Sequence, residues 1–202
     1  MNEVNIVDRE VIDSFNGKYC WLSNFYMEPC GTTNEHRYQA EKAKHHPELR
    51  TQILGANTPG LAKRLGRSVP CNMRWWQGVR EKAMIRGLRV KFSHPEMRDL
   101  LLGTGNAVII EGNYWHDNYW GDCKCRKCRG NPGMNRLGTM LMQIRDELAA
   151  EMKAVADYLN ASAKDIEEFI DAQLEQAKLD EPWTEEEVNE ILDDEERRHR
   201  GE

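Results

Sequence analysis

Apolar residues recur every three or four positions over several long stretches of the chain, which is the pattern of helices with one buried face. The longest stretches predict a helix from about Trp76 to Phe92 and another helix that begins at Asn135. Shorter helices are predicted from Glu35 to Lys44, from Pro59 to Gly66 and from Pro95 to Gly103. Helices therefore dominate the predicted fold.

The signals for β structure are short and few. An Asn16-Gly17 pair between apolar and aromatic flanks predicts a tight hairpin inside residues 11–21. The β-branched run from Ala107 to Ile110 predicts a buried strand that ends at Glu111, and a long polar and aromatic loop follows to Gly133. The fold class is therefore mainly α with small β elements (α+β).

Helix starts are marked by two capping patterns. Thr58 precedes a proline, which predicts an N-cap followed by proline in the first helical turn. Ser93 with Glu96 has the spacing of a capping box. Both patterns predict where a short helix begins.

Composition narrows the class of protein. The chain has 202 residues, of which 40% are apolar and 31% are charged, as in an ordinary globular domain. No apolar run approaches the ~20 residues that a bilayer requires, and the first residues lack the pattern of a signal peptide. We therefore expect a cytoplasmic protein, in which six cysteines are not a disulfide framework.

Charge divides the chain in two. Residues 164–202 hold 16 acidic and 5 basic residues, a balance of −11, and the rest of the chain has +5, which together give the net charge of −6. We predict a body over residues 1–150 and an acidic helical extension over residues 151–202, with helix starts at Ser162 and Thr184. A basic body suits a phosphorylated ligand or nucleic acid, and the acidic extension could cover that surface when no ligand is bound. A solvated basic surface without a specific ligand is the alternative.

A series of ordered motifs resembles the NADAR family, also called YbiA-like. The resemblance runs from about Phe15 to Leu148. Its motifs are Leu22-Ser23-Asn24-Phe25, Glu35-His36-x-Tyr38-Gln39-x-x-Lys42, Thr58-Pro59-x-x-Ala62-Lys63, Trp76-x-x-x-Arg80-x-x-x-Met84, Lys91-Phe92, Leu101-Leu102-x-Thr104-Gly105, Glu111, Asp117-x-x-Trp120-Gly121 and Gly133-x-Asn135-x-Leu137-Gly138-x-x-Leu141-Met142-x-x-Arg145.

The resemblance implies a single, mainly α domain with N-glycosidase activity. In the family this activity is directed at two substrate types, phosphoribosylamino intermediates of riboflavin synthesis and ADP-ribose attached to guanine. Both contain a ribosyl C–N bond. The resemblance also implies that Asn24 and Gln39, which belong to the matching motifs, contact the substrate.

Breaking a ribosyl C–N bond needs a carboxylate near C1′, a proton for the departing base and cations for phosphate. We assign Glu35 as the main acid/base group, although acidic residues also favour helix starts by ~0.3–1 kcal/mol. Lys42 is a candidate for a Schiff base with a ring-opened ribose. Pairing with phosphate, or a solvated position on the helix, remains open for this lysine.

Two more carboxylates and an amide are candidates. Asp117 is expected to bind ribose hydroxyls or to orient water, and Glu111 is a weaker second candidate. Hydrogen bonds that merely organise the loop are the alternative for both. Asn135 either contacts the ligand or caps its helix.

Aromatic and basic residues complete the candidate site. Trp76, Trp115, Tyr119 and Trp120 are candidates for stacking on a base. Trp120 is the better candidate, whereas Trp76 lies on an apolar stripe that favours packing in the core. Lys63, Arg64 and Arg80 are candidate phosphate ligands. Exposed cations without any specific ligand are the alternative.

Three thiols stand close together at Cys123, Cys125 and Cys128. A structural zinc would need a fourth ligand, from His116, Cys30 or elsewhere, and reduced thiols in a loop are the alternative. Neither hydrolysis nor the resemblance requires a metal.

The predicted function is therefore hydrolysis of a ribosyl N-glycosidic bond, with no required cofactor. A module that binds ADP-ribose or nucleic acid without turnover is the alternative, and it would not need Glu35 or Asp117.

Overall fold

A computed structural model describes residues 9–159 together with residues 170, 171 and 173. The chain divides into two units, residues 1–151 and residues 152–202. In the second unit the described residues are helical and include exposed apolar side chains such as Met152, Val155 and Leu159. The helix starts predicted at Ser162 and Thr184 lie outside the described residues.

Helices account for most of the first unit, so the predicted class, mainly α with small β elements, is confirmed. None of the helices in the described part is long and apolar enough to cross a membrane. In chain order the helices are α1 (Asn34–Lys42), α2 (Pro47–Leu54), α3 (Pro59–Ser68), α4 (Met73–Ser93), α5 (Pro95–Leu102) and α6 (Arg136–Leu159), and a 3₁₀ helix (Gly17–Leu22) precedes them.

The strands form two parallel pairs of two residues each. β1 (Val11–Ile12) pairs with β2 (Val108–Ile109), and β3 (Gly112–Asn113) pairs with β4 (Asp122–Cys123). The predicted hairpin at Asn16-Gly17 is therefore wrong. Gly17 uses its positive φ of 55° to enter the 3₁₀ helix, and burial of Ile12 and Ile109 selects the distant partner strand.

Two other local predictions also need correction. α2 was not predicted, because Ile53 is its only fully buried residue and leaves little periodicity to detect. The capping box at Ser93 does not form, since His94 is the N-cap residue of α5 and the Ser93 hydroxyl donates to the carbonyl of Val90. Thr58, by contrast, caps α3 as predicted.

The core of this unit has two parts. A larger cluster joins the 3₁₀ helix, α1, α4, α5, β2 and α6, and a smaller cluster joins α1, α2 and α3. Both clusters include residues of α1, which is therefore the central helix. Its buried residues are Asn34, Glu35, His36, Tyr38, Gln39 and Ala40.

Candidate active site

The start of α1 is fixed from two sides. Thr33 caps the helix by accepting the N–H of His36, which leaves Glu35 in the first turn. The N–H of Glu35 donates to the carbonyl of Asn24 at 3.0 Å, and the side chain of Asn34 donates to Asn24 Oδ1 at 2.9 Å. Glu35 is 4% exposed, so its position is set by backbone and amide contacts on the loop that follows the 3₁₀ helix.

Helix α3 packs closely against the middle of α1. A Cβ added at Gly66 would lie 2.0 Å from Gln39 Oε1, so only glycine fits at this crossing. Gln39 then donates from Nε2 to Glu35 Oε1 at 2.8 Å, and Lys42 donates from Nζ to the carbonyl of Gly66 at 2.8 Å. Glu35, Gln39 and Lys42 share one face of α1 by their spacing, and this face is thus divided between a pocket and the contact with α3.

A pocket of about 970 Å³ opens beside Glu35. Four carboxylates line it, those of Asp13, Glu35, Glu111 and Asp117, and the last three are the ones predicted from the sequence. Two cations of α3, Lys63 and Arg67, line it as well, because residues four apart share a helix face. The pocket therefore combines acid/base groups with positive charge.

Glu111 places a buried carboxyl oxygen without a partner at the pocket. Within residues 9–159 its Oε2 is buried and has no hydrogen-bond partner. Burial, and then the nearby charges of Asp117 and Glu35, raise the pKa of Glu111 from 4.5 to about 7. A carboxylic acid that keeps its proton near neutral pH can donate it to a departing group.

Glu35 has a different environment. Burial raises the pKa of its carboxyl group, whereas the hydrogen bond from Gln39 and the positive charge of Lys63 act in the opposite direction. The pKa of Glu35 is raised overall, as is that of Glu111, and the charge of Lys63 acts to lower both; the hydrogen bond from Gln39 is the contact that favours the ionised form of Glu35 over that of Glu111. The two carboxyl groups are therefore suited to opposite proton-transfer roles.

Asp117 organises the loop that it stands on. Its Oδ1 accepts the N–H groups of Tyr119 at 3.1 Å and of Trp120 at 2.9 Å. Asn113 holds the same turn by accepting the N–H of Asp117 at 3.2 Å. The side chain of Asp117 is thus firmly placed at the pocket wall.

Asn135 supports the pocket from outside. It has a positive φ of 47°, accepts the N–H of Glu111 at 3.0 Å and donates to the carbonyl of Ile109 at 2.8 Å. A Cβ added at Gly138 would lie 2.1 Å from that same carbonyl, so α6 passes very close to β2. These contacts fix the backbone at Glu111.

Aromatic rings line the pocket at two depths. Trp120 meets Tyr38 edge to face with ring centroids 5.7 Å apart, and both line the pocket. Tyr114 and Trp115 also line it and are 73% and 65% exposed, which places them at its mouth. The inner rings are fixed by packing, whereas the outer rings are free to meet a ligand.

The chain matches the model of the NADAR domain over residues 13–149. The chain belongs to the NADAR family. N-glycosidase YbiA of Shigella flexneri is 37% identical over 147 residues, which cover 68% of this chain and 87% of that protein. N-glycosidase YbiA of Escherichia coli K12 is 40% identical over 121 residues, which cover 59% of this chain and 71% of that protein.

Other relatives agree with this family. The riboflavin biosynthesis protein PYRR of Zea mays is 34% identical over 136 residues, 62% of this chain and 21% of that protein. The NMR structure of E. coli YbiA superimposes with a TM-score of 0.58 at 35% identity, covering 74% of this chain and 92% of that one. The names of the YbiA relatives confirm the predicted enzyme class, an N-glycosidase.

Apart from the stacking candidates Trp115 and Tyr119, the sequence predicts twelve residues to be catalytic or to bind substrate, of which seven line the pocket and the other five do not. Among the described residues, those that line it are Asn24, Glu35, Gln39, Lys63, Glu111, Asp117 and Trp120, and those that do not are Lys42, Arg64, Trp76, Arg80 and Asn135. Trp76 is buried against Tyr38, with centroids 5.1 Å apart, and the guanidinium of Arg80 lies 3.5 Å from the ring centroid of Tyr119. These two residues support the rings of the pocket.

Several pocket residues were missed by sequence reasoning. Arg67 could have been found, because it lies four residues after Lys63 and shares its helix face, as Arg64 does not. Tyr38 stands inside a motif but was not singled out, and burial raises the pKa of its hydroxyl. The rim residue Tyr114 comes from an irregular loop, where no apolar repeat could mark it, whereas its neighbour Trp115 was a predicted stacking residue and does line the pocket.

Proposed function

We propose that this NADAR protein hydrolyses the ribosyl C–N bond of a phosphorylated substrate, with ADP-ribosylated guanine of nucleic acid as the favoured substrate. The observation that carries the proposal is the meeting of Glu35, Glu111 and Asp117 with Lys63 and Arg67 in one pocket. Carboxyl groups beside the anomeric carbon can accept a proton from water and donate one to the departing nitrogen, and the cations can bind phosphate.

In the proposed reaction, a water molecule attacks C1′ as the C1′–N bond breaks. Glu35 accepts the proton of this water, and Glu111 donates its own proton to the departing nitrogen. The environments described above support this assignment, since Glu35 accepts a hydrogen bond from Gln39, whereas the buried Oε2 of Glu111 has no hydrogen-bond partner among the described residues and the charges of Asp117 and Glu35 raise the pKa of Glu111. Proton exchange with solvent then restores both groups.

Asp117 is proposed to hold the ribose. Its Oδ1 is engaged by two backbone N–H groups, so the carboxylate cannot rotate freely and presents its other oxygen in a constant direction. A fixed carboxylate is a good acceptor for sugar hydroxyls, and its negative charge also stabilises an oxocarbenium-like transition state.

Lys42 has no direct role in this proposal. Its Nζ donates to the carbonyl of Gly66, and the amines that line the pocket in the described part of the chain are those of Lys63 and Lys124. A Schiff base at Lys42 would require its side chain to leave α3. Direct attack by water fits the observed contacts without any such movement.

The mouth of the pocket favours the larger substrate. The pocket volume of about 970 Å³ is at the upper end for small-molecule sites, and Tyr114 and Trp115 offer exposed rings at the mouth of the pocket. Such rings suit a base that projects from nucleic acid. The smaller candidate, a phosphoribosylamino-pyrimidine, is favoured instead by the similarity to PYRR.

The test compares both substrates in one assay of base release. We expect faster release from ADP-ribosylated guanine, and a loss of ~100- to 10,000-fold for Glu35→Gln and Glu111→Gln. Glu41→Gln is the matched control, since Glu41 lies on α1 outside the pocket and pairs with Arg86 at the surface.

Each contrary result has a distinct meaning. Release only from the phosphoribosylamino-pyrimidine would overturn the favoured substrate but keep the bond type. Tight binding of both substrates without release would support the non-catalytic module. A borohydride-trapped adduct on Lys42 would replace water attack with the covalent route.

A further inference from the structure

We propose that Cys123, Cys125, Cys128 and His116 bind one zinc ion. The side-chain ligand atoms of these four residues all lie within 4.8 Å of one another. Three thiolates and one imidazole are a common donor set for structural zinc, and zinc prefers four ligands in a tetrahedron.

The distances agree with a tetrahedral site. His116 Nδ1 lies 3.2 Å from the Cys125 sulfur and 3.4 Å from the Cys128 sulfur. A tetrahedron built with ordinary zinc–sulfur and zinc–nitrogen bonds separates these atoms by about 3.6 Å. His116 Nδ1 and these two sulfurs therefore lie within a few tenths of an ångström of the separations that a bound zinc requires.

The local backbone is arranged to bring the four donors together. His116 has a positive φ of 66°, which is uncommon for a residue other than glycine and orients its ring toward the thiols. The N–H of Cys128 donates to the carbonyl of Cys125 at 3.1 Å, which closes the turn between these two residues. Asn118 accepts the N–H of Cys123 at 2.8 Å and holds the remaining ligand.

A second cluster in the described part of the chain, formed by Glu28, Cys30 and His94, is a weaker candidate. Both carboxylate oxygens of Glu28 accept hydrogen bonds from Arg37, at 2.6 and 2.5 Å. The negative charge of Glu28 is therefore already neutralised. Only one thiol and one imidazole remain for a metal there.

The zinc would stabilise one wall of the pocket. Because four protein donors complete its coordination, it has a structural role and leaves no open position for water. It would join His116, next to Asp117, to the segment after β4, which includes Lys124; all three residues line the pocket. The inference concerns binding of the metal alone and does not depend on the substrate or on the proposed reaction.

The experiment measures metal in the full-length protein. The chain is stripped with a chelator, incubated with zinc and desalted, and metal content is measured by plasma mass spectrometry. We expect about one zinc per chain. Cys125→Ser and His116→Asn should weaken zinc binding by at least tenfold, since losing even an outer partner of a zinc ligand has an effect of this size.

The control is Cys20→Ser, because Cys20 is an exposed thiol outside the cluster. It should keep the full zinc content. Cobalt added to the stripped wild-type protein provides a readout that does not require a variant to fold, through the absorption of thiolate-bound, tetrahedral cobalt. Zinc released on desalting, zinc unchanged in Cys125→Ser, iron bound in its place, or cobalt without thiolate absorption would each overturn the proposal.

Discussion

Replacing Glu111 by glutamine tests the central electrostatic feature of the pocket. Burial and two neighbouring carboxylates raise the pKa of Glu111 from 4.5 to about 7 in the folded chain. In the unfolded chain this group ionises near its ordinary value. As the pH rises from 4.5 to 7, the unfolded chain therefore loses a proton that the folded chain keeps, and the folded state becomes less stable.

The size of this effect follows from the two pKa values. Each unit of difference between the folded and unfolded pKa values corresponds to about 1.4 kcal/mol, so the loss of stability reaches roughly 3 kcal/mol once the pH exceeds 7. Glutamine has nearly the same shape and cannot ionise. We therefore expect the stability of Glu111→Gln relative to wild type to increase by up to roughly 3 kcal/mol between about pH 4.5 and pH 8.

Urea unfolding at several pH values gives the free energy of unfolding of both proteins. Glu151→Gln is the matched control, because Glu151 is an exposed residue in the middle of α6 and lies outside the pocket. A second measurement links the pKa of Glu111 to catalysis. The kcat/KM of the wild-type protein should fall above about pH 7 as Glu111 loses its proton.

A stability difference between wild type and Glu111→Gln that stays constant with pH would refute this reasoning. Glu111 would then ionise at its ordinary pKa, and it could not serve as the proton donor. The assignment of acid and base roles to the two glutamates would have to be abandoned.

Two further predictions concern packing and a buried lysine. Gly66→Ala should destabilise the fold by ~1–3 kcal/mol and reduce base release, because the new methyl group would collide with Gln39. Gly78→Ala on α4 is the control, because its methyl group meets open space and should stabilise the fold by up to ~1 kcal/mol. Equal effects of the two changes in urea unfolding would contradict this prediction. Burial lowers the pKa of Lys91 from 10.5 to about 7, so the unfolded chain holds a proton that the folded chain lacks between these values. Wild type should therefore gain roughly 2 kcal/mol relative to Lys91→Met from about pH 7 to pH 9, and a loss or no change over this range would show that Lys91 stays charged when folded.

Much of the helical framework could be predicted because its signals are local. The apolar repeat located α4 and α6 to within a few residues at their starts, and Thr58 marked the start of α3. The position of α2 escaped notice because a helix with a single fully buried residue has almost no apolar repeat. An apolar repeat thus reveals a helix only when the helix buries several residues on one face.

The pairing of strands was beyond local reasoning. β1 and β2 are two residues each and lie almost a hundred positions apart. A two-residue strand has no alternation of its own, so its partner depends on which apolar side chains must be buried together. The same limit explains why the Asn16-Gly17 pair was misread as a hairpin.

By itself, the sequence determined the family, the helical class and the residue types that the chemistry requires. Only the tertiary structure decided which residues share a pocket: Lys42 is bound to α3, Arg67 joins Lys63, and Glu111 lies near Asp117 with its Oε2 unpaired within the described part of the chain. The physical reason is that residue type and helical period are local properties. Burial, pKa and convergence arise from contacts between segments that are far apart in the chain.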